Sequence, residues 1–185
     1  TNLKHASSGS NNIVLNADGS TTIASGAGKI LQVVQAVKTD TFSTTTNTLV
    51  DITGLSLSIT PSSTSNKILI TVSFNHSITT ANRWAQFQLV RDSTAIYQGD
   101  AADSRTRASI FTSLFDATGR STHIMNSNIV YLDSPNTTSA TTYKLQGNSQ
   151  SDNTPYLVIN RSKDDDNASY GGRTASSITA MEVAA

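Results

Sequence analysis

Between Leu49 and Phe74 the chain alternates apolar and polar residues too regularly to be a helix. From Leu55 it reads Leu-Ser-Leu-Ser-Ile-Thr-Pro, which puts Leu55, Leu57 and Ile59 on one face of a strand and Ser56, Ser58 and Thr60 on the other. Pro61 has no backbone donor and ends the ladder. Ser62-Ser63-Thr64-Ser65-Asn66 then turns the chain, and Lys67 to Phe74 repeats the alternation with Ile68, Ile70, Val72 and Phe74 in phase. Two such runs across a short polar turn predict an antiparallel pair with one buried face. Each buried apolar side chain contributes about 1.5–3 kcal/mol, enough to seed an all-β core.

Ser and Thr make up about three residues in ten. Short hydroxyl side chains compete for helical backbone bonds but suit strand faces and turns. Charged residues are 14% of the chain and the formal net charge is zero, so long-range attraction to nucleic acid or an anionic membrane is weak. There is no cysteine, which excludes disulfides, thiolate metal sites and cysteine nucleophiles. No apolar run reaches the length of a membrane span, and no signal-peptide pattern opens the chain. A first residue of Thr1 suggests a processed chain or a fragment. The 185 residues fit one domain with a small appendage.

That appendage is residues 1–28. Asn12 to Ile23 predicts a hairpin turning at Asp18-Gly19, with too few apolar residues to bury a core unaided. Ser25-Gly26-Ala27-Gly28 reads as a joint. Gly26-Ala27-Gly28-Lys29 lacks the spacing of a phosphate loop, and Ile30 stands where its hydroxyl ligand should be. In the head, residues 29–185, Ile30 to Lys38 is apolar on both faces, as in a strand held between the core and another surface. Thr39 to Thr48 reads as a flanking hydroxyl-rich run. Further strands are expected at Ala85–Leu89, Ala95–Gln98, Ile124–Leu132, Tyr143–Gln146, Tyr156–Ile159 and Ser177–Val183, with Ala108–Phe115 ambiguous and Ser162–Gly172 a charged loop. Short strands and turns without a convincing helix mean an antiparallel β-sandwich of jelly-roll type.

Catalytic patterns are missing. Glu182 is the only glutamate, the aspartates sit mainly in turns, and neither Gly-x-Ser-x-Gly nor Ser-x-x-Lys occurs. The chain reads as a non-enzyme needing no cofactor. His5, His76 and His123 stand alone, without metal-ligand spacing. His76 continues the phase of Ile68–Phe74 and so faces inward or towards a subunit axis. Asp164-Asp165-Asp166-Asn167 lacks the alternating ligands and distal Glu of a calcium loop and reads as a solvated turn. The Asn-x-Ser/Thr triplets at Asn75, Asn136, Asn160 and Asn167 are expected by chance in such a chain. Trp84, Tyr97, Tyr156 and Tyr170 are candidates for a sugar platform, with Trp84 and Tyr156 better suited to packing. Tyr170, beside Gly171-Gly172 and Arg173, is the better contact residue because it lies in a loop, and Arg105 and Arg107 join it.

Several phrases together resemble one family. They are Gly28 to Gln35, Val50-Asp51-Ile52-Thr53-Gly54 running into Leu55–Pro61, Tyr131-Leu132-Asp133-Ser134-Pro135-Asn136-Thr137-Thr138, Ile159-Asn160-Arg161-Ser162, and Ser176 to Val183. Their combination resembles the C-terminal domains of tail-fibre-like and other appendage proteins of marine bacteriophages, cyanophages especially, and the hairpin at Asn12–Ile23 is similar to the segment that often precedes them. The resemblance implies a virion protein, usually a homotrimer, with a β-sandwich head at a fibre tip on the tail or the capsid. The two-sided strand and the under-filled hairpin agree, since both ask for neighbouring chains.

The reading is therefore a bacteriophage tail-fibre or appendage subunit. Its trimer interface would draw on Ile30, Val34 and His76. Tyr170, Arg173, Arg105 and Arg107 would contact a host surface glycan or protein, three weak sites gaining avidity from the shared trimer. Other virion proteins are expected partners; nucleic acid and membrane insertion are not. The alternatives are a capsid decoration, head fibre or adaptor without a receptor, and a glycan-degrading tailspike, which the lack of a carboxylate pair disfavours.

Overall fold

The computed structural model describes residues 2–3, 13–19, 21–23, 29–79, 83–114, 122–150 and 157–185. Among these the regular structure is all strand. Three short strands, β1 (Asn2–Leu3), β2 (Ile13–Leu15) and β3 (Thr21–Ile23), form a small sheet of their own. β2 and β3 are the expected hairpin, pairing Ile13 with Ile23 and closing its turn with Gly19 N–H on the Asn16 carbonyl at 3.2 Å. The Ser25–Gly28 joint lies outside the described residues.

The head is an antiparallel β-sandwich. Sheet I runs in the order β10 (Ile110–Leu114), β8 (Arg83–Arg91), β12 (Thr141–Ser149), β6 (Val50–Ile59), with β9 (Thr94–Ile96) also on β8. Sheet II runs β4 (Ile30–Lys38), β14 (Ser176–Val183), β7 (Lys67–Ile78), β13 (Leu157–Ile159), β5 (Phe42–Thr44), with β11 (Met125–Asp133) also on β7. β7 is central: His76 pairs with Ile159 of β13 on one edge and with Met125 of β11 on the other. The two sheets bury a continuous core, in which Phe74 of sheet II meets Phe87 of sheet I with ring centroids 4.6 Å apart. Gly147 sits where the layers close most tightly; a Cβ there would lie 3.0 Å from Leu157 and 3.2 Å from Ile52. The head closes beside its start, with Ala184 N–H on the Lys29 carbonyl at 2.8 Å.

The two alternating runs do exist as strands, but they do not pair with each other. β6 pairs with β12 in sheet I, whereas β7 pairs with β14, β11 and β13 in sheet II. Residues 60–66 therefore form an arch from one sheet to the other, not a hairpin within one. The reason lies in Glu182 of β14, which is 1% exposed. Its carboxylate accepts from Ser62 N–H at 2.6 Å, Ser62 Oγ at 2.7 Å, Asn66 Nδ2 at 2.6 Å and Gln32 Nε2 at 2.6 Å. These bonds satisfy the arch away from the hairpin geometry. β6 also carries a wide bulge, where five steps from Asp51 to Ser56 oppose two from Gln146 to Lys144. Gly54 occupies it with φ +87°, a conformation that L side chains rarely adopt. The Thr39–Thr48 run contains a strand, β5, whose pairing with β13 the composition alone does not show.

A second polar clamp joins the sheets. Asp133 of β11, 3% exposed, accepts from Tyr143 Oη of β12 at 2.6 Å and from Arg91 Nη1 of β8 at 3.0 and 2.9 Å. Burial, and then the bond to Asp133, raise the Tyr143 pKa and keep its hydroxyl protonated. A third clamp centres on buried Asn160 (φ +62°), whose Nδ2 donates to the Lys38 and Asp40 carbonyls at 2.9 and 3.0 Å while Ser176 Oγ donates to its Oδ1 at 2.5 Å.

Burial raises the Glu182 pKa, but the hydrogen bonds from Asn66, Gln32 and Ser62 outweigh it and hold the carboxyl down at about 2. A depressed carboxylate adds stability above the unfolded-state value of 4.5 that is lost as pH falls towards 2. Glu182→Gln is expected to cost about 2–4 kcal/mol at neutral pH in urea melts and to flatten stability across that acid interval. Tyr143→Phe is expected to cost about 1–3 kcal/mol in the same assay, because it leaves a buried carboxylate oxygen short of a donor.

Candidate functional site

Two surface regions gather the residues that sequence singles out. The first is the loop from Ser162 to Arg173. Ala168 N–H bonds to the Asp166 carbonyl and Gly171 N–H to the Ala168 carbonyl, both at 2.9 Å, curling the chain around a cleft of about 220 Å³. Asp165, Asn167 and Arg173 line it, and Arg173 Nη2 sits 2.5 Å from Asp165 Oδ1. Tyr170 is 63% exposed in the same turn. The structure thus brings Tyr170 and Arg173 into one loop, as expected. Arg173 is held by Asp165, and among the described residues no three His, Asp or Glu side chains converge.

The second region lies around the segment from Tyr97 to Ser109 and spreads over the outer face of sheet I. Tyr97 has φ +53°, a strained conformation for an aromatic residue, and packs on Tyr131 with ring centroids 5.2 Å apart. Beside it is an open cleft of about 320 Å³ lined by Tyr97, Gln98, Gly99, Ala108 and Ser109. Arg107 borders it: its Nε donates to the Gly99 carbonyl at 2.7 Å, and its own carbonyl accepts from Gln86 Nε2 at 2.8 Å. Arg105 stays exposed in the loop, its N–H on the Ala102 carbonyl at 2.9 Å. Arg105 and Arg107 therefore belong to a different surface element from Tyr170 and Arg173.

Pairing arranges the outer face of sheet I in rows. Gln146 lies opposite Gln88 on one side and Asp51 on the other. Gln98 Nε2 donates to Gln88 Oε1 at 2.9 Å, and Gln146 Nε2 and Lys144 Nζ reach the two oxygens of Asp51 at 2.7 and 2.9 Å. Those contacts depress the Asp51 pKa, with the Lys144 bond first and the Gln146 bond second. The next row sets Phe111 opposite Gln86, and Phe111, 53% exposed, stacks on Trp84 at 5.4 Å. Trp84 is half-buried in this aromatic pair, so its packing partner is Phe111 on the outer face. Tyr156 lies outside the described residues. Sequence reasoning missed the glutamines. Their alternation in Ala85-Gln86-Phe87-Gln88-Leu89 was the available signal, but only strand pairing brings Gln146 alongside.

Two of the three expected interface residues are corrected. Val34 faces inward and packs against the core, because β4 alternates Gln32, Val34 and Ala36 in with Leu31, Val33 and Val37 out. His76 is fully buried between Phe74 and Phe87, with ring centroids at 5.4 and 4.8 Å, and so faces no axis. Its Nε2 lies 3.0 Å from Ser127 Oγ, and its Nδ1 has no partner among the described residues. Ile30, at the start of β4, is 44% exposed.

No protein-family model matches the chain, and no curated protein does. Among solved structures it is similar to a chain in the structure of infectious bursal disease virus Gt strain, at 15% identity and a TM-score of 0.41, over 93% of this chain and 43% of that one. The corresponding figures for the Gx strain are 17% and 0.38, over 94% and 42%. The chain thus spans less than half the length of these solved chains, and TM-scores this low carry no argument about fold or role.

Burial, followed by the nearby charge of His123, pushes the His76 pKa from 6.5 down to about 4. The imidazole is therefore neutral in the fold and protonates more readily once unfolded. Stability present above pH 6.5 should fall as pH drops towards 4 and then level off, by roughly 3 kcal/mol in all. Melting temperatures of the wild type and His76→Leu across pH 4–7 test this; parallel profiles would show that another group carries the acid sensitivity.

Proposed function

We propose that the chain is a structural subunit of a virus particle, of the bacteriophage tail-fibre or appendage kind, that assembles with copies of itself into a trimer and presents its loops to the host surface. The observation that carries this reading is the outer face of sheet II. Register places Val33, Met181, Leu69 and Leu132 side by side across four strands. Around this row Val33 is 57%, Val37 58%, Val130 62% and Leu132 51% exposed. Four strands cover about 14 Å across the sheet. A continuous apolar row of that width on an outer face is the mark of a surface meant for another protein.

The resemblance to marine phage appendage domains supports the same reading, and so does the composition of the face. It carries no charge along that row, so copies of one chain can meet on it without repulsion. The polar end of the same sheet, where Asn126 Nδ2 bonds to Asn75 Oδ1 at 3.1 Å and Asn128 Nδ2 to Asn126 Oδ1 at 2.7 Å, stays hydrated. Host contact would then fall to the loop bearing Tyr170 and Arg173 and the loop bearing Arg105 and Arg107, repeated three times for avidity.

Light scattering at two concentrations tests the assembly. The expected mass is three times 19.6 kDa, independent of dilution. The double change Val33→Lys and Leu132→Lys should give monomers with an unchanged circular dichroism spectrum. A wild-type monomer would overturn self-assembly and favour a decoration or adaptor that takes its symmetry from a larger virion protein.

A further inference from the structure

The two outer faces of the sandwich have opposite chemistry. Sheet II carries one apolar row across four strands, bordered by Gln35, Thr179 and Thr71, whereas sheet I presents a line of carboxamides. We infer that the outer face of sheet I, from the cleft beside Gln98 across Gln88 and Gln146 to Asp51, is a binding site for a neutral, hydroxyl-rich oligosaccharide. The inference rests on the host-surface reading above: if copies cover sheet II, sheet I is the face left turned outward.

Three observations carry it. First, each carboxamide offers donors and an acceptor together, which matches a sugar hydroxyl that also does both. The Gln98–Gln88 and Gln146–Asp51 bonds already fix the orientation of these groups, so binding costs little side-chain ordering. Second, Asp51 is compensated by Lys144 at 2.9 Å, so the line carries no net charge. That selects neutral sugars over sulfated or carboxylated ones. Third, Phe111 stacks on Trp84 one row away and is half exposed, an apolar platform for the C–H face of a pyranose. Strand and row spacings put the platform about 8 Å from Gln88 and about 12 Å from Gln146, with the buried Gln86, capped by the Arg107 carbonyl, in the row between them. The strained backbone of Tyr97, held against Tyr131, shapes the cleft at one end.

The test uses the assembled full-length protein on an immobilised panel of neutral and acidic oligosaccharides, alongside labelled protein on marine cyanobacterial cells. The expected result is capture by neutral glycans, reduced tenfold or more in Phe111→Ala and in Gln146→Ala, with both variants melting within a few degrees of the wild type. Capture by acidic glycans only, capture unchanged in both variants, or no capture at all would overturn the site. Cell binding that persists without glycan capture overturns this site and leaves the host-surface reading standing. Glycan capture that both variants lose, without cell binding, supports the site and overturns the host-surface reading.

Discussion

A single buried carboxylate decides how this chain divides between its two sheets. Glu182 collects bonds from Ser62, Asn66 and Gln32, and in doing so holds the arch that carries the chain from β6 in sheet I to β7 in sheet II. Without that anchor the two most regular strands would have the simpler option of pairing as neighbours. With it, their apolar faces turn towards each other across the core, and each recruits partners from far along the chain. Glu182 itself lies at the opposite end of the sequence from Gln32 and Ser62, so the crossing is secured only once β14 has docked between β4 and β7.

The sandwich that results has one packed interior and two unlike exteriors. The inner faces meet at Phe74 and Phe87, and polar groups enter them only where fully engaged, as Asp133 does with Tyr143 and Arg91. His76 departs from this, a buried ring whose Nδ1 has no partner among the described residues. The exteriors divide by strand rather than by loop. One row across β4, β14, β7 and β11 turns Val33, Met181, Leu69 and Leu132 outward, while β8 and β12 turn glutamine and lysine outward. Side chains of alternate residues on the same strands thus fill the core on one face and set the surface chemistry on the other.

Much of this was legible in the sequence. Period-two alternation located β6, β7, β11, β12 and β14, and the Asp18-Gly19 signal located the small hairpin. The two-sided apolarity of Ile30–Val37 was also legible, though alternation assigns the outer face to Val33 and Val37 and the inner one to Val34. What was not legible is pairing. Nothing local in Leu55–Phe74 distinguishes a hairpin from an arch, since the deciding carboxylate is 116 residues from Asn66. The same holds for the amide line of sheet I, whose members come from three strands and a loop. The phrases that resemble phage appendage proteins also gain a physical meaning. Asp133, Asn160, Ser176 and Glu182 all lie in them, and each is a buried group holding a crossing or a loop in place.

The bond from Ala184 to the Lys29 carbonyl brings the two ends of the head together, one strand spacing apart, about 4.8 Å. A unit whose entrance and exit coincide can be set into a loop of a larger protein without prising that loop open. The sandwich is in this sense a cassette. Grafted between two neighbouring strands of a scaffold, it would keep both exterior faces clear of the attachment point and offer them to whatever the scaffold displays them against.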